Sequence, residues 1–501
     1  VRRACSSRSL RAAAPDGHET KFKKTDNDEE YESLPTYPPR PSFKAFKNAL
    51  RPASQVVVFE GCPNDPYRAS STPLYQTSTF RSPSASEFGA YDYTRSGNPT
   101  RTALEKHVAM LDHAAASFAF TSGMAALGQV VNLARGGEML CGSDIYGGMY
   151  RLVTKVATRS GVTPRFVDTT NLAAVRRIVE ESPPGRIKVL HLETPSNPSL
   201  RITDIEEVAR ICHSRDIWVS VDATAMGPLL MRPLDLGADL VVHSATKWIS
   251  GHADTMGGIV SVGNDQLAGE IAYSQNAEGT ALAPFDCWLL LRGIKTLAVR
   301  QNCSVANARE VAAFLHGHPR VTKLFWPELL EGVQASTKLQ LSASEAETHR
   351  RQAEGPGALI SFETGDVELS RRLCEALRIF KITVSFGSVN SLVEMPRTMS
   401  HASIPHDDTL QTEPLAADLV RLSVGIEDIR DLIDDLRQAF DVAEKLGTMG
   451  LDVESVKEVY RGPRSAEEAL IFDASASENM LFDSTFEDLP VVPALPSEDK
   501  D

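Results

Sequence analysis

No apolar run in the 501 residues approaches the roughly 18 to 20 that a membrane-spanning helix needs. The sequence therefore offers no candidate transmembrane helix, and no membrane partner is expected. Cysteine is sparse: seven residues, at 5, 62, 141, 212, 287, 303 and 374, with no CxxC spacing. An odd, dispersed set in a long chain points to reduced thiols, not to a disulfide framework or a zinc centre, and no metal site is expected. Positive charge is also short, with 52 Lys+Arg against 66 Asp+Glu and a net charge of −14. Without a basic stripe, nucleic acid is not expected as a partner. Acid is missing from one place, the first fifteen residues, VRRACSSRSLRAAAP, which hold four arginines and no carboxylate. That composition fits an organelle transit peptide or its remnant, and a plain basic terminus is the alternative.

What is present is ordinary globular composition, 42% hydrophobic and 24% charged, in a chain long enough for more than one core. Residues 1–55 read as a basic and polar extension, and 56–114 as an arm followed by a helix over 102–112. From 115 to about 262 strands and helices alternate. Strands are expected at 117–120, 138–141, 165–167, 187–192, 217–221 and 240–243. Helices are expected at 122–133, 148–160, 172–181 and 203–215, the last opened by Thr203 and Glu206 at capping-box spacing. This alternation predicts an α/β fold with a mostly parallel sheet wrapped by helices, in a large domain over 115–310. A long helix over 284–310 leads out of it. A smaller C-terminal α/β domain follows over 311–446, with strands at 358–363 and 383–386, a helix at 367–377 and a closing helix at 428–445. Residues 329–355 read as a polar surface loop. Residues 447–501 read as an acidic tail; 451–501 alone carry 4 Lys+Arg and 13 Asp+Glu.

In a parallel α/β sheet, ligands bind at the carboxyl ends of the strands, so those ends are the places to read. ADLVVHSATKWISG, at 238–251, is a buried strand that stops in small polar residues and Lys247, whose amine can act as a nucleophile when desolvated. Ser244 and Thr246 offer hydroxyls to a phosphate. Gly123 and Met124 stand where a strand meets a helix N-terminus, whose free N–H groups favour an anion. Tyr146 lies in a glycine-flanked loop and can stack on a flat ring. Asn197 follows a strand in ETPSNP, and Asp222 ends the strand WVSV. Each residue alone also fits an ordinary turn, a packing contact or a solvated end. Together, a lysine, a carboxylate and a phosphate cradle are what pyridoxal 5'-phosphate (PLP) requires.

At these residues the chain resembles the PLP-dependent enzymes of cysteine and methionine metabolism, which share the aspartate-aminotransferase-like fold type I. The stretches that carry the resemblance are YTRSGNPT (93–100), TSGMAA (121–126), ETPSNP (193–198), Asp222, HSATK (243–247) and RLSVGIED (421–428). The resemblance implies a Schiff-base role for Lys247. It implies phosphate contacts from Gly123, Met124, Ser244 and Thr246, with Tyr93 and Arg95 reaching the phosphate of a neighbouring subunit. Tyr146 would stack on the ring, Asn197 touch its hydroxyl and Asp222 pair with its nitrogen. Arg421, Ser385 and Tyr93 would bind substrate, Arg421 taking its carboxylate. It also implies a homotetramer with active sites shared between two subunits.

Within the family, 275–293 and 384–405 look most like the plastid-type cystathionine β-lyases of plants. The expected reaction is cleavage of L-cystathionine to homocysteine, pyruvate and ammonia, in methionine biosynthesis by transsulfuration. The methionine γ-lyases usually have cysteine where this chain has Gly148. Where most β-lyases of the group have Asp-Asn, this chain has Asp222-Ala223. The rivals are a cystathionine γ-synthase or another carbon–sulfur lyase of the family and, from another class, a non-catalytic PLP-binding regulator. A plastid location is expected, with the cytoplasm as the alternative.

Overall fold

The apolar runs between 116 and 262 assemble as one seven-stranded sheet. Its strands are β1 (Ala116–Phe120), β2 (Glu138–Gly142), β3 (Thr163–Val167), β4 (Ile187–Glu193), β5 (Trp218–Asp222), β6 (Leu240–Ser244) and β7 (Gly258–Val262). The computed structural model describes residues 50–59, 65, 67, 69–329, 338–402 and 415–450. The expected transit peptide and nearly all of the acidic tail lie outside them. Strand order is β1-β7-β6-β5-β4-β2-β3. β7 runs antiparallel to both neighbours, and the other pairs are parallel. The central strands are buried almost throughout because helices cover both faces, which is why they read as continuous Val/Leu runs.

A second sheet holds β8 (Lys323–Phe325), β9 (Leu359–Glu363), β10 (Lys381–Ile382), β11 (Leu392–Glu394) and β12 (Val420–Ser423), in the order β10-β11-β12-β9-β8. Its apolar face shares a core with the helices Leu297–Gly317, Val367–Ala376 and Ile429–Met449 through Phe362, Leu373, Leu436 and Phe440.

Several expectations fail for identifiable reasons. The stretch 284–310 is not one helix but two, Pro284–Ile294 and Leu297–Gly317. The Gly293 carbonyl is taken by Arg300 Nη2 at 2.8 Å and by Thr296, so the first helix stops there. Part of the expected loop 329–355 is the helix Ala343–Gln352, started by a complete capping box between Ser342 and Glu345. The helix Ile205–His213 is capped by Asp204, not Thr203, whose hydroxyl is paired with Thr169 at 2.7 Å. The stretch 147–160 begins as α-helix Gly147–Arg151, passes through a π turn Leu152–Val156 and ends as 3₁₀. Residues 383–386 are not a strand. Pairing ends after Ile382, and the chain turns inward through Ser385 at φ 106°.

Candidate active site

The parallel register sets Glu193 of β4 beside Asp222 of β5, and β6 ends next to them at Ser244. The chain then leaves the sheet in a turn that carries Lys247. The turn is held by Lys247 N–H to Ser244 O (3.0 Å), by Gly251 N–H to Lys247 O (2.7 Å) and by the Trp248 indole donating to Ala225 O (2.9 Å). From the other side come the segment 384–386, beyond the end of β10, and Arg421 of β12. Between them lies a cavity of about 420 Å³, lined by Gly123, Met124, Tyr146, Asn197, Asp222, Ser244, Thr246, Lys247, Ser385 and Arg421 among others. Ten of the twelve residues singled out in the sequence therefore share one cavity. Tyr93 and Arg95 do not line it. They border a separate open cleft with Gly279, where Arg95 lies 5.6 Å from the Tyr93 ring centroid.

Lys247 Nζ donates to Ser385 Oγ at 2.6 Å and lies 5.1 Å from the Phe386 ring centroid. Burial, aided by the Arg421 charge, lowers its ammonium to about 8, against a smaller opposing pull from Glu394 and Asp222. Arg421, 2% exposed, gives Nη1 to Asn197 Oδ1 (2.9 Å) and to Glu394 Oε1 (2.7 Å), and Nη2 to the Ser385 carbonyl (2.6 Å). Its Nε and the Glu394 Oε2 are buried without a hydrogen-bond partner among the described residues. Glu394 also accepts from Ser400 Oγ (2.5 Å). That hydroxyl meets His401 Nδ1 at 2.8 Å, and His401 Nε2 reaches the Asn197 carbonyl at 2.9 Å. Burial, then the Arg421 charge, pushes His401 down to about 4, so it stays neutral.

At the mouth, the Tyr146 ring meets His401 edge-on at 6.3 Å. Its backbone N–H donates to Glu193 Oε1 at 2.6 Å. Burial and the neighbouring Asp222 raise Glu193 well above the usual carboxylate range. Gly148 sits directly under Tyr146: a Cβ there would overlap the ring and lie 3.0 Å from Met124 Sδ.

Sequence reading missed Glu193, Glu394, Ser400 and His401. Glu193 stood inside ETPSNP, in a motif already singled out. Glu394 becomes visible only once β11 and β12 pair in the register that sets it opposite Arg421.

The arrangement fits PLP. Ser122 caps the helix Gly123–Asn132, accepting from Ala125 N–H at 3.1 Å, and Gly123 and Met124 of its first turn, whose N–H groups need acceptors outside the helix, line the cavity. Gly123 comes so close to β6 that a Cβ would lie 3.1 Å from Ser244 Cβ and Oγ, a tight contact that would press on the Ser244 side of the cradle. An amine of lowered pKa and a carboxylate line the same cavity. These residues would hold the phosphate, the carbonyl carbon and the ring nitrogen respectively.

Residues 54–441 match the family model described as Cys/Met metabolism PLP-dependent enzyme. The chain is 49% identical over 377 residues to a chloroplastic cystathionine beta-lyase of Arabidopsis thaliana, covering 75% of this chain and 78% of that protein. It is 48% identical over 376 residues to the Mimosa pudica protein of the same description, covering 75% and 79%. Among solved structures, a cystathionine gamma-lyase from Lactobacillus plantarum complexed with L-serine superposes with a TM-score of 0.72 at 38% identity, over 79% of this chain and all of that one. With this match in sequence and fold, and a cavity that fits the cofactor, the chain belongs to the Cys/Met metabolism PLP-dependent enzymes and has their fold type I architecture.

Proposed function

We propose that the protein is a cystathionine β-lyase, converting L-cystathionine and water to L-homocysteine, pyruvate and ammonia. The observation that carries this reading is the make-up of the substrate side of the cavity. Segment 384–405, whose sequence looks most like the β-lyases, supplies Val384, Ser385, Phe386, Met399 and Ser400 to the wall facing Lys247. The relatives at 48–49% identity that bear the same description support it.

Bound PLP supplies a carbonyl carbon for the substrate amine and a ring that takes up electrons released at Cα. This chain's residues do the rest. Asp222 would face the ring nitrogen and favour its protonated form. Gly123, Met124, Ser244 and Thr246 would hold the phosphate, Tyr146 would cover the ring and Asn197 would touch the ring hydroxyl. Arg421 binds the substrate α-carboxylate through the edge that carries its unpartnered Nε, already fixed by Glu394 and Ser385. Lys247, once free, takes the Cα proton. An amine titrating near 8 is partly neutral at physiological pH, as a base must be. Loss of homocysteine thiolate from Cβ needs no second proton transfer at Cβ, whereas γ-chemistry does.

The active assembly is a homotetramer, a dimer of dimers, in which Tyr93 and Arg95 serve a neighbouring subunit's phosphate. The chain is organised as arm (56–114), PLP-binding domain (115–310) and C-terminal domain (311–446), and residues 1–55 direct it to the plastid. Purified protein given cystathionine should yield pyruvate and free thiol in equal amounts. The main keto acid being 2-oxobutyrate, or robust condensation of cysteine with O-phosphohomoserine or O-succinylhomoserine, would sink the β-lyase reading and leave the cofactor assignment standing.

A further inference from the structure

The mechanism uses Asp222 but not the group packed behind it. His191 and Glu193 are two residues apart on β4, so both side chains leave the same face, and their register partners on β5 are Ser220 and Asp222. A ring nitrogen of His191 and one carboxylate oxygen each of Glu193 and Asp222 lie within 4.8 Å of one another. His191 is fully buried. Its Nδ1 is 3.1 Å from Ser220 Oγ, and its Nε2 is buried without a hydrogen-bond partner among the described residues. Burial pushes the imidazole down to about 4, so it is neutral and carries one proton. If the Ser220 hydroxyl donates to Nδ1, that proton sits on Nε2. A buried N–H needs an acceptor, and the cluster offers carboxylates. Glu193 Oε1 already accepts from Tyr146 N–H, and Asp222 Oδ1 accepts from Thr224 N–H at 2.9 Å, which leaves Asp222 Oδ2.

We propose that His191 is a positioning residue for Asp222: with Nδ1 on the Ser220 hydroxyl, its otherwise unpartnered Nε2–H is the donor available to the Asp222 carboxylate for holding that carboxylate aimed at the PLP ring nitrogen. The proposal rests on the reading of Asp222 given above. A histidine between Leu190 and Leu192 in the strand IKVLHLE is the sequence signal for it. His191 does not line the cavity, so its effect must pass through Asp222, which does.

The test compares His191→Phe, His191→Gln, Ser220→Ala and Asp222→Asn for PLP dissociation constant, melting temperature of the apo-protein, kcat and KM. His191→Phe should weaken PLP binding and lower kcat, each by about tenfold, the lower end of what an outer partner of a ligating group usually carries. KM should change little. His191→Gln, which keeps an N–H donor, should recover most of the loss, and Ser220→Ala should show a smaller loss in the same direction. Unchanged PLP binding in His191→Phe overturns the proposal. So does a His191→Gln variant that folds but binds PLP no better than His191→Phe. If His191→Phe does not fold, His191→Gln and Ser220→Ala decide: normal PLP binding and kcat in Ser220→Ala overturn the proposal. Asp222→Asn separates the two levels. If it binds PLP and turns over as wild type does, the reading of Asp222 itself fails.

Discussion

The Lys247 amine donates a 2.6 Å hydrogen bond to the Oγ of Ser385, and Ser385 holds a backbone φ of 106°, where a residue with a side chain is strained. The strained turn also points the Ser385 carbonyl at Arg421 Nη2, 2.6 Å away. One residue thus holds both the Lys247 amine and the Arg421 guanidinium, the proposed base and the proposed carboxylate-binding group. Ser385→Gly should relieve strain worth about 1–3 kcal/mol and raise the melting temperature, while kcat falls because Lys247 loses its acceptor. A glycine variant with full kcat would show that the hydroxyl does not orient the amine.

The state of Lys247 gives a pH prediction. Its ammonium titrates at about 8 in the folded apo-protein against an ordinary value of 10.5. The unfolded chain therefore binds more protons between these values, and stability gains from this group as pH rises through that window. Below about pH 8 the buried charge is a full liability. Lys247→Met should thus stabilise the apo-protein at pH 7 and do so less at pH 10, measured by thermal unfolding against wild type. It should also abolish turnover, and borohydride reduction of the wild-type holoenzyme should fix the cofactor on Lys247. A label on another lysine would overturn that assignment.

Arg421 and Glu394 form a buried pair across β11 and β12. Breaking such a pair from one side leaves an uncompensated charge, at a cost of about 3–5 kcal/mol. Glu394→Ala should therefore lower the melting temperature sharply and raise KM, since Arg421 is no longer held. Arg421→Lys keeps the charge but loses the two-bond grip, so KM should rise strongly with PLP still bound. Loss of stability in Arg421→Lys with little change in KM would mean that Arg421 only ties the two sheets together.

The cavity was largely legible because its residues sit at strand ends, and strand ends are announced by an apolar run meeting Gly, Pro or a polar cluster. Asp222, Lys247 and the Gly123 turn are all of this kind. Glu394 and His401 were not, because their roles come from the pairing of β11 with β12 and from a contact to Asn197 that joins residues 204 apart in sequence. The helix Ala343–Gln352 was hidden by its narrow buried stripe of Ala346, His349 and Gln352, although Ser342 and Glu345 announced its start. The break near Thr296 depends on Arg300 capturing the Gly293 carbonyl, which apolar periodicity does not encode.

Gly148 tests how the mouth of the site is built. A Cβ at this position would overlap the Tyr146 ring and press on Met124 Sδ, so Gly148→Cys should turn Tyr146 away from its contact with His401. The fold should survive, because a ring at the mouth, 37% exposed, can move into solvent. The expected outcome is a lower kcat/KM for cystathionine with PLP retained. Unchanged kinetics would show that the place of Tyr146 does not matter to turnover.

Assembly gives the last prediction. Among the described residues the Arg95 guanidinium makes one hydrogen bond, a long one of 3.5 Å to the Asn276 carbonyl, and with the Tyr93 ring beside it borders a cleft open to solvent. A guanidinium so weakly engaged within its own chain is well suited to a neighbour's phosphate. Arg95→Ala should remove a charge-assisted contact worth about 1.5–3 kcal/mol and weaken PLP retention accordingly. Arg95→Ala and Lys247→Ala subunits, each inactive alone, should regain activity when unfolded together and refolded. In such a hybrid, one site receives Arg95 from the Lys247→Ala subunit and Lys247 from the other, and the second site receives neither. Random pairing across one two-fold interface then gives about a quarter of wild-type activity. No recovery in hybrids confirmed by mass, or a fully active monomer on sizing, would place each active site within a single chain.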